Sequence, residues 1–357
     1  MVPFPFKKLI FWFQKHQRDL PWRTSRTPYS TWISEIMLQQ TQVQQAQPYY
    51  LRFINRFPDI QSLAKAPIQQ VLKTWEGMGY YSRAGNLHRT ARLIVKRFGG
   101  KIPSEFEALL KLPGIGRSTA GAILSLAYDK PFPVLDGNIR RVLIRFFYIN
   151  QDPAKTDTIK KLWTISKGII PPSKAGLFNE ALMELGALIC RPNNPDCASC
   201  PLKKDCLGFR LGRPAFLPIK RPKKPVPHFD VTAAVIRKNK KILITQRPEK
   251  GLLGGLWEFP GGKKELRESL EQCLKREIRE ELNIEIKVGE CFIQVRHAYT
   301  HFRITLHCFF CRKLKGRINP IGVKDYRWVT PDEMDQFPFP RADQKVIEYL
   351  KNQIPIF

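Results

Sequence analysis

A basic, proline-rich run, Pro218-Ile219-Lys220-Arg221-Pro222-Lys223-Lys224-Pro225-Val226-Pro227, separates two stretches whose periodicities cannot share one element type. Proline fixes φ and lacks an N–H, so the run reads as an extended, semi-rigid connector rather than as helix or sheet interior. Before it, apolar residues recur at helical spacing, as in Leu87, Ala91, Ile94, Val95, Phe98 and again in Phe178, Ala181, Leu182, Leu185. After it the period drops to two, with strands expected over 231–236, 241–245, 284–288 and 303–310 around one helix at 268–282. A chain of 357 residues is long enough for two cores. The expected division is an all-α domain over 1–210, a linker over 211–227 and an α+β domain over 228–357.

Charge narrows the partner. Sixty Lys and Arg against 31 Asp and Glu leave a net +29, which calls for a polyanion. Nucleic acid is favoured over a membrane surface, because no polybasic amphipathic anchor, lipidation motif or spanning apolar segment occurs. The run Leu9-Ile10-Phe11-Trp12-Phe13 is too short for a signal-peptide core. The expectation is an intracellular protein, cytoplasmic in a bacterium, whose eight cysteines form no disulfide framework. Cys273, Cys291, Cys308 and Cys311 read as core thiols.

Leu112-Pro113-Gly114-Ile115-Gly116 places two glycines just ahead of an apolar helix expected from about 118 to 127. Bare backbone N–H groups at a helix start can approach a phosphate. Asp136-Gly137-Asn138 follows, and its carboxylate reads either as a helix cap or as a reacting group. Glu35 lies three residues from both Trp32 and Leu38, so on a helix its own face is apolar. Such a setting raises a carboxyl pKa and suits a general acid; the alternative is a plain glutamate on an amphipathic helix. Together, Glu35 and Asp136 fit the two-carboxylate logic of glycosidic cleavage, one protonating the leaving base and the other stabilising an oxocarbenium-like sugar.

Cys190-x6-Cys197-x2-Cys200-x5-Cys206 sets four thiols in 17 residues, a metal-binding density. Zinc ribbons usually carry two compact CxxC pairs and this loop carries one, which favours a [4Fe–4S] cluster over zinc.

These features resemble the endonuclease III-like superfamily, with LPGIG similar to its helix–hairpin–helix, about 108–128, and the cysteines similar to its iron–sulfur loop, 190–206. Within it, the chain resembles the MutY-type adenine DNA glycosylase family over nearly its whole length. The matching stretches are Leu20-Pro21-Trp22-Arg23, Ser34-Glu35-Ile36-Met37-Leu38-Gln39-Gln40-Thr41, Trp75-Glu76-Gly77-Met78-Gly79-Tyr80-Tyr81-Ser82-Arg83, Leu135-Asp136-Gly137-Asn138 and Phe178-Asn179-Glu180-Ala181-Leu182.

The resemblance implies a monomeric enzyme of base excision repair that removes adenine opposite 8-oxoguanine or guanine in double-stranded DNA. It implies Glu35 as proton donor, Asp136 as charge stabiliser and Asn138 as the group orienting Asp136 or the substrate. Arg23, Glu180, Gly114, Gly116 and Ser118 would face DNA or the flipped base, while Gln40, Thr41, Met78 and Tyr80 would wedge into the duplex. Extrusion is physically required, since a stacked base hides its glycosidic bond from protein acids. Strand-cutting relatives carry a lysine where this chain has Ser118, which implies base removal without efficient strand cleavage.

The C-terminal part resembles a Nudix fold that reads 8-oxoguanine, with Tyr299-Thr300-His301 where Phe-Ser-His is usual; Thr300 and His301 would make the readout. Gly262-x5-Glu268-x7-Arg276-Glu277-Ile278-Arg279-Glu280-Glu281-Leu282-Asn283-Ile284 fits the Nudix hydrolase box except for Asn283 in place of glycine. Glu277, Glu280 and Glu281 share a helix face, where they would hold Mg²⁺ or pair with Arg276 and Arg279. Two further readings therefore stand beside the glycosylase: a nucleotide-diphosphate hydrolase, and a non-enzymatic DNA binder stiffened by its cluster.

Overall fold

The computed structural model describes residues 4–219 and 225–353. Residues 220–224 of the expected linker lie outside the described residues. Two compact units emerge: the described residues of Met1–Lys65 with Asn86–Lys223, and those of Ala66–Gly85 with Lys224–Phe357. A boundary drawn along the chain cannot express this, because 66–85 leaves the helical half to join the second unit.

The first unit is helical: α1 (Phe6–His16), α2 (Pro21–Thr24), α3 (Pro28–Leu38), α4 (Val43–Arg56), α5 (Ile60–Lys65), the bulk of α7 after Gly85, α8 (Phe106–Leu110), α9 (Arg117–Tyr128), α10 (Gly137–Phe146), α11 (Thr156–Ile169), α12 (Ala175–Leu188) and α13 (Leu207–Arg210). α6 (Ile68–Thr74) and the first turn of α7 (Ser82–Phe98) belong to the second unit. α9 packs between α3 and α12, and α12 also packs on α10. The buried stripes explain why: Ile123 and Leu124 of α9 are buried, and Leu143 and Ile144 of α10 share one core with Phe178 and Leu182 of α12. Burying each such side chain contributes about 1.5–3 kcal/mol. Leu217, inside the expected linker, is buried in this same core.

The second unit is a sheet in the order β3-β2-β1-β5-β4, with β6 on β2. Its strands are β1 (His228–Lys238), β2 (Lys241–Gln246), β3 (Trp257–Glu258), β4 (Glu285–Ala298), β5 (Arg303–Lys315) and β6 (Asp325–Val329). β1 and β5 are parallel; the other pairs are antiparallel. α14 (Leu270–Leu282) covers one face through Leu274, Ile278 and Leu282, and α15 (Arg341–Gln353) covers the other through Val346, Ile347 and Leu350. Asn283, standing where glycine was expected, is left-handed at φ 53 and caps α14, a conformation asparagine tolerates better than most residues.

Segment 66–85 is stitched to this sheet. Trp257 Nε1 donates to Gln69 Oε1 at 3.0 Å, Lys73 Nζ donates to the Phe337 carbonyl at 3.0 Å, and Phe339 N–H donates to Glu76 Oε1 at 2.8 Å. Among the four scattered cysteines, Cys273, Cys308 and Cys311 are buried as expected. Cys291 is exposed, because register shifts on both sides of it break the inward alternation of β4. Among the described residues no helix is long and apolar enough to cross a membrane.

Candidate active site and cysteine loop

α3 begins at a capping box in which Ser30 N–H donates to Thr27 Oγ1 at 3.0 Å and Thr27 N–H donates to Ser30 Oγ at 2.8 Å. So pinned, the helix buries Trp32, Ile33, Ile36 and Met37 and leaves the Glu35 side chain only partly open. The carboxyl accepts no hydrogen bond from the described residues. Burial first, then the charges of Asp136 and Glu180, push its pKa up to about 8, against an opposing pull from Arg26. Glu35 therefore holds a proton at neutral pH.

Asp136 is the N-cap of α10: Oδ1 accepts from Ile139 N–H at 2.7 Å and Oδ2 from Asn138 Nδ2 at 3.2 Å. The cap fixes the direction of this carboxylate. Burial raises its pKa, while the donors from Ile139 and Asn138 and the charge of Arg141 oppose that rise. Asn138 is itself oriented, because Arg141 Nη2 donates to its Oδ1 at 2.8 Å. Arg141 also donates to the carbonyls of Gly186 and Cys190, each at 2.7 Å. Gly186 makes this approach possible: a Cβ there would stand 2.6 Å from Asn138 Cβ.

The glycine turn leads into α9. Gly114 has φ +80, a backbone only glycine adopts without strain. Gly116 is the N-cap of α9 with no side-chain cap, and the space a Cβ would fill is open. Both facts leave the first N–H groups of α9 approachable by an anion. Ser118 Oγ accepts from Leu135 N–H at 3.2 Å, bracing the residue before Asp136.

Arg23 and Glu180 belong to a larger buried network. Arg23 Nε and Arg26 Nη2 both reach Glu180 Oε1, at 2.9 and 2.7 Å, and Arg23 Nη2 reaches Glu184 Oε2 at 3.1 Å. Arg18 grips Glu184 through Nε, Nη2 and its own N–H, at 2.8, 2.9 and 2.9 Å. Arg18, Arg26, Glu184 and Arg141 were not singled out from the sequence. Two acids one turn apart on the otherwise apolar α12 were a usable signal, because buried charges demand partners.

The four thiols of the cysteine loop are partly buried and act on one another electrostatically. Burial pushes the Cys200 thiol up to about 12, and those of Cys197 and Cys206 upward. Donors converge on the sulfurs: Arg145 Nη1 on Cys190 Sγ at 3.3 Å, the Leu202 N–H on Cys200, and the Gly208 and Phe209 N–H groups on Cys206. Arg145, 1% exposed, also donates to the carbonyls of Cys190, Arg191, Pro192 and Leu217.

Gln40, exposed at φ 56, and Thr41 close α3 in the first unit. In the second, Tyr80 is left-handed at φ 49 and its hydroxyl stands 2.5 Å from Thr300 Oγ1. His301 is exposed beside it in the turn between β4 and β5. Met78 is buried, so its side chain supports this turn from within. In the box helix, Arg276 pairs with Glu268 at 2.8 Å, Glu277 at 2.8 Å and Glu280 at 3.2 Å. Glu281 accepts from Gly261 N–H at 3.2 Å. Among the described residues no trio of His, Cys, Asp or Glu converges on a single-ion position, these glutamates included.

The chain matches the family model for the HhH-GPD superfamily of base excision DNA repair proteins over residues 33–167, and that for the NUDIX domain over 231–349. It is 36% identical to an adenine DNA glycosylase of Buchnera aphidicola subsp. Acyrthosiphon pisum, across 99% of this chain and 100% of the relative. It is 32% identical to the adenine DNA glycosylase of Homo sapiens, across 97% of this chain and 74% of the relative. Among solved structures, a thermostable thymine-DNA glycosylase superposes with a TM-score of 0.53 at 30% identity, covering 58% of this chain and 95% of its own.

Proposed function

The chain belongs to the adenine DNA glycosylase family and is an N-glycosylase of base excision repair; on that premise we propose that Glu35 and Asp136 divide the chemistry between them. Glu35 donates its proton to a ring nitrogen of an adenine turned out of the duplex. The bond from C1′ to adenine N9 breaks, and its electron pair leaves with the base. Positive charge left on the sugar is met by the Asp136 carboxylate, either as an ion pair or through a covalent intermediate. Water then adds to C1′ and gives up a proton to the Glu35 carboxylate, restoring the starting state.

The observation that carries this reading is the asymmetry of the two acids. Glu35 holds a proton at neutral pH and has no donor bound to it, whereas Asp136 is aimed by two donors and faced by Arg141. Burial pushes both acids up, but only Asp136 accepts hydrogen bonds that oppose the rise, a difference that suits Glu35 to the acid role and Asp136 to the carboxylate role. Ser118 supplies no amine, so the reaction ends at base loss without efficient strand cleavage.

Specificity for adenine opposite 8-oxoguanine or guanine falls to Thr300 and His301, with Tyr80 beside them. The contact of Tyr80 with Thr300 within one unit supports this. Gln40 and Thr41 enter the duplex from the first unit, and the 114–118 turn holds phosphate. The protein acts on double-stranded DNA as a monomer.

Members of this family typically bind a [4Fe–4S] cluster. Cys190, Cys197, Cys200 and Cys206 would hold it here, and the donors aimed at their sulfurs suit thiolate ligands. When bound, the cluster ties the loop together and presents Lys203 and Lys204 toward DNA.

The test is a duplex with adenine opposite 8-oxoguanine, incubated with enzyme and then treated with alkali. Cleavage of the adenine strand that disappears in Asp136→Asn supports the assignment. Unaltered cleavage in that variant removes Asp136 from it.

A further inference from the structure

The turn that carries Tyr80 holds two left-handed residues in succession, Gly79 at φ +76 and Tyr80 at φ 49. Glycine adopts that backbone freely, whereas a tyrosine keeps it only where its surroundings hold it there. The holding group is Arg83, three positions on, in the first turn of α7. Its backbone N–H donates to the Tyr80 carbonyl at 2.9 Å, and its Nη2 donates to the Gly79 carbonyl at 3.2 Å. The guanidinium carbon lies over the Tyr80 ring, 5.2 Å from its centre, and over the Trp75 ring, 5.3 Å from its centre. Trp75 Nε1 donates to the same Gly79 carbonyl at 3.0 Å. Arg83 thus meets Tyr80 at the peptide before it, at the peptide after it and at its ring.

We propose that Arg83 is a positioning residue for reading the base opposite adenine: lying against the Tyr80 ring and gripping the Gly79 carbonyl, it aims the Tyr80 hydroxyl at Thr300 Oγ1, 2.5 Å away. The proposal rests on the reading that Tyr80 and Thr300 distinguish 8-oxoguanine from guanine. Every residue it uses lies in the second unit.

Arg83 is 7% exposed and Trp75 is fully enclosed, so this guanidinium cannot lie along a phosphate strand as a surface cation does. Burial pulls its pKa down to about 10, and it remains a cation at neutral pH. Enclosing a charge is costly unless partners offset it, and here two ring faces and a carbonyl do so. The shape of the group matters as much as its charge. A planar guanidinium faces rings while an edge N–H points at a carbonyl, whereas an ammonium is a compact point charge on a flexible stem. Lysine at this position keeps the charge and loses the alignment; methionine loses both.

The experiment measures single-turnover adenine release by the full chain from two duplexes, one with 8-oxoguanine and one with guanine opposite the adenine. It compares the parent with Arg83→Met, Arg83→Lys, Tyr80→Phe and the double variant Tyr80→Phe with Arg83→Met, with folding checked by thermal melting. The readout is the ratio of the two rates, which a general loss of active enzyme leaves in place. Arg83→Met is expected to lower that ratio about 2- to 10-fold, the size of a cation–π contact or a hydrogen bond. Arg83→Lys is expected to fold and still to lose part of the ratio, so it decides the matter should Arg83→Met fail to fold. In the Tyr80→Phe background, Arg83→Met is expected to change the ratio little further, because the hydroxyl it aims is gone. An unchanged ratio in either folded Arg83 variant overturns the proposal, even where both rates fall together. An equal fall with and without the Tyr80 hydroxyl also overturns it. If Tyr80→Phe itself keeps the parent ratio, the reading of Tyr80 as part of the readout fails first, and the proposal falls with it.

Discussion

Tyr80 and Thr300, 220 positions apart in the chain, face each other across 2.5 Å, hydroxyl to hydroxyl. The contact lies inside one unit because residues 66–85 fold onto the sheet rather than with the helices that flank them in sequence. Tyr80 approaches from a left-handed turn with positive φ at Gly77, Gly79 and Tyr80, so its direction is fixed by backbone that few residues could replace.

Tyr80→Phe removes one hydrogen bond and leaves the ring. A net value of about 0.5–1.5 kcal/mol for such a bond corresponds to roughly a 2- to 10-fold effect. The expected outcome is a loss of that size in the preference for adenine opposite 8-oxoguanine over adenine opposite guanine, in single-turnover rates. Combined with Thr300→Ala the two losses should not add, because both variants delete the same bond.

Three acids near β3 share one problem. Glu258, Glu281 and Asp343 are held above their ordinary values mainly by burial, Glu281 and Asp343 up to about 8, with Arg247 the cation that opposes. Folded Asp343 keeps its proton to about pH 8, whereas an unfolded aspartate loses it near 3.8. The folded state therefore binds more protons than the unfolded state between those values, and stability falls as pH rises through that window. Asp343→Asn cannot ionise and can still accept from Phe259 N–H. Urea unfolding at pH 6 and pH 8 should show a smaller loss of stability in the variant than in the parent.

Arg145 is the cation on which the cysteine loop closes. Arg145→Met keeps most of the apolar stem and strips donors from four carbonyls and one sulfur. Leaving buried acceptors unpaired costs about 1–3 kcal/mol each before relaxation. The variant is expected to unfold several degrees earlier and to retain less iron after reconstitution, measured by thermal melting and by iron per chain.

Much of the site was legible before the fold was known, for identifiable reasons. Glu35 could be placed on an apolar helix face because Trp32 and Leu38 lie three residues either side of it on α3, and the box helix α14 shows its buried stripe at Leu274, Ile278 and Leu282. Asp136 reads along the chain as a cap or as a reactant; the structure shows the cap, and a capping carboxylate stays available as a reactant. The pairing of Arg18 with Glu184 was not legible, since it joins residues 166 positions apart and no local rule connects them. The exposure of Cys291 depends on bulges in β4, which strand periodicity does not encode. β3 is two residues long, too short to show any period, yet it carries Glu258 and Trp257. The union of 66–85 with the sheet rests on side chains such as Gln69, Lys73 and Glu76, which along the chain read as ordinary polar positions on short helices.

The most direct test of the two-carboxylate account is the single-turnover rate of adenine release from a duplex carrying adenine opposite 8-oxoguanine. The parent would be compared with Glu35→Gln and Asp136→Asn, with folding checked by circular dichroism. Each isosteric change removes one role, proton donation or charge stabilisation, and each is expected to lower the rate by about 100-fold or more. The parent rate should fall as pH rises past about 8, where Glu35 loses its proton. Retention of near-parent rates by either folded variant would contradict the account.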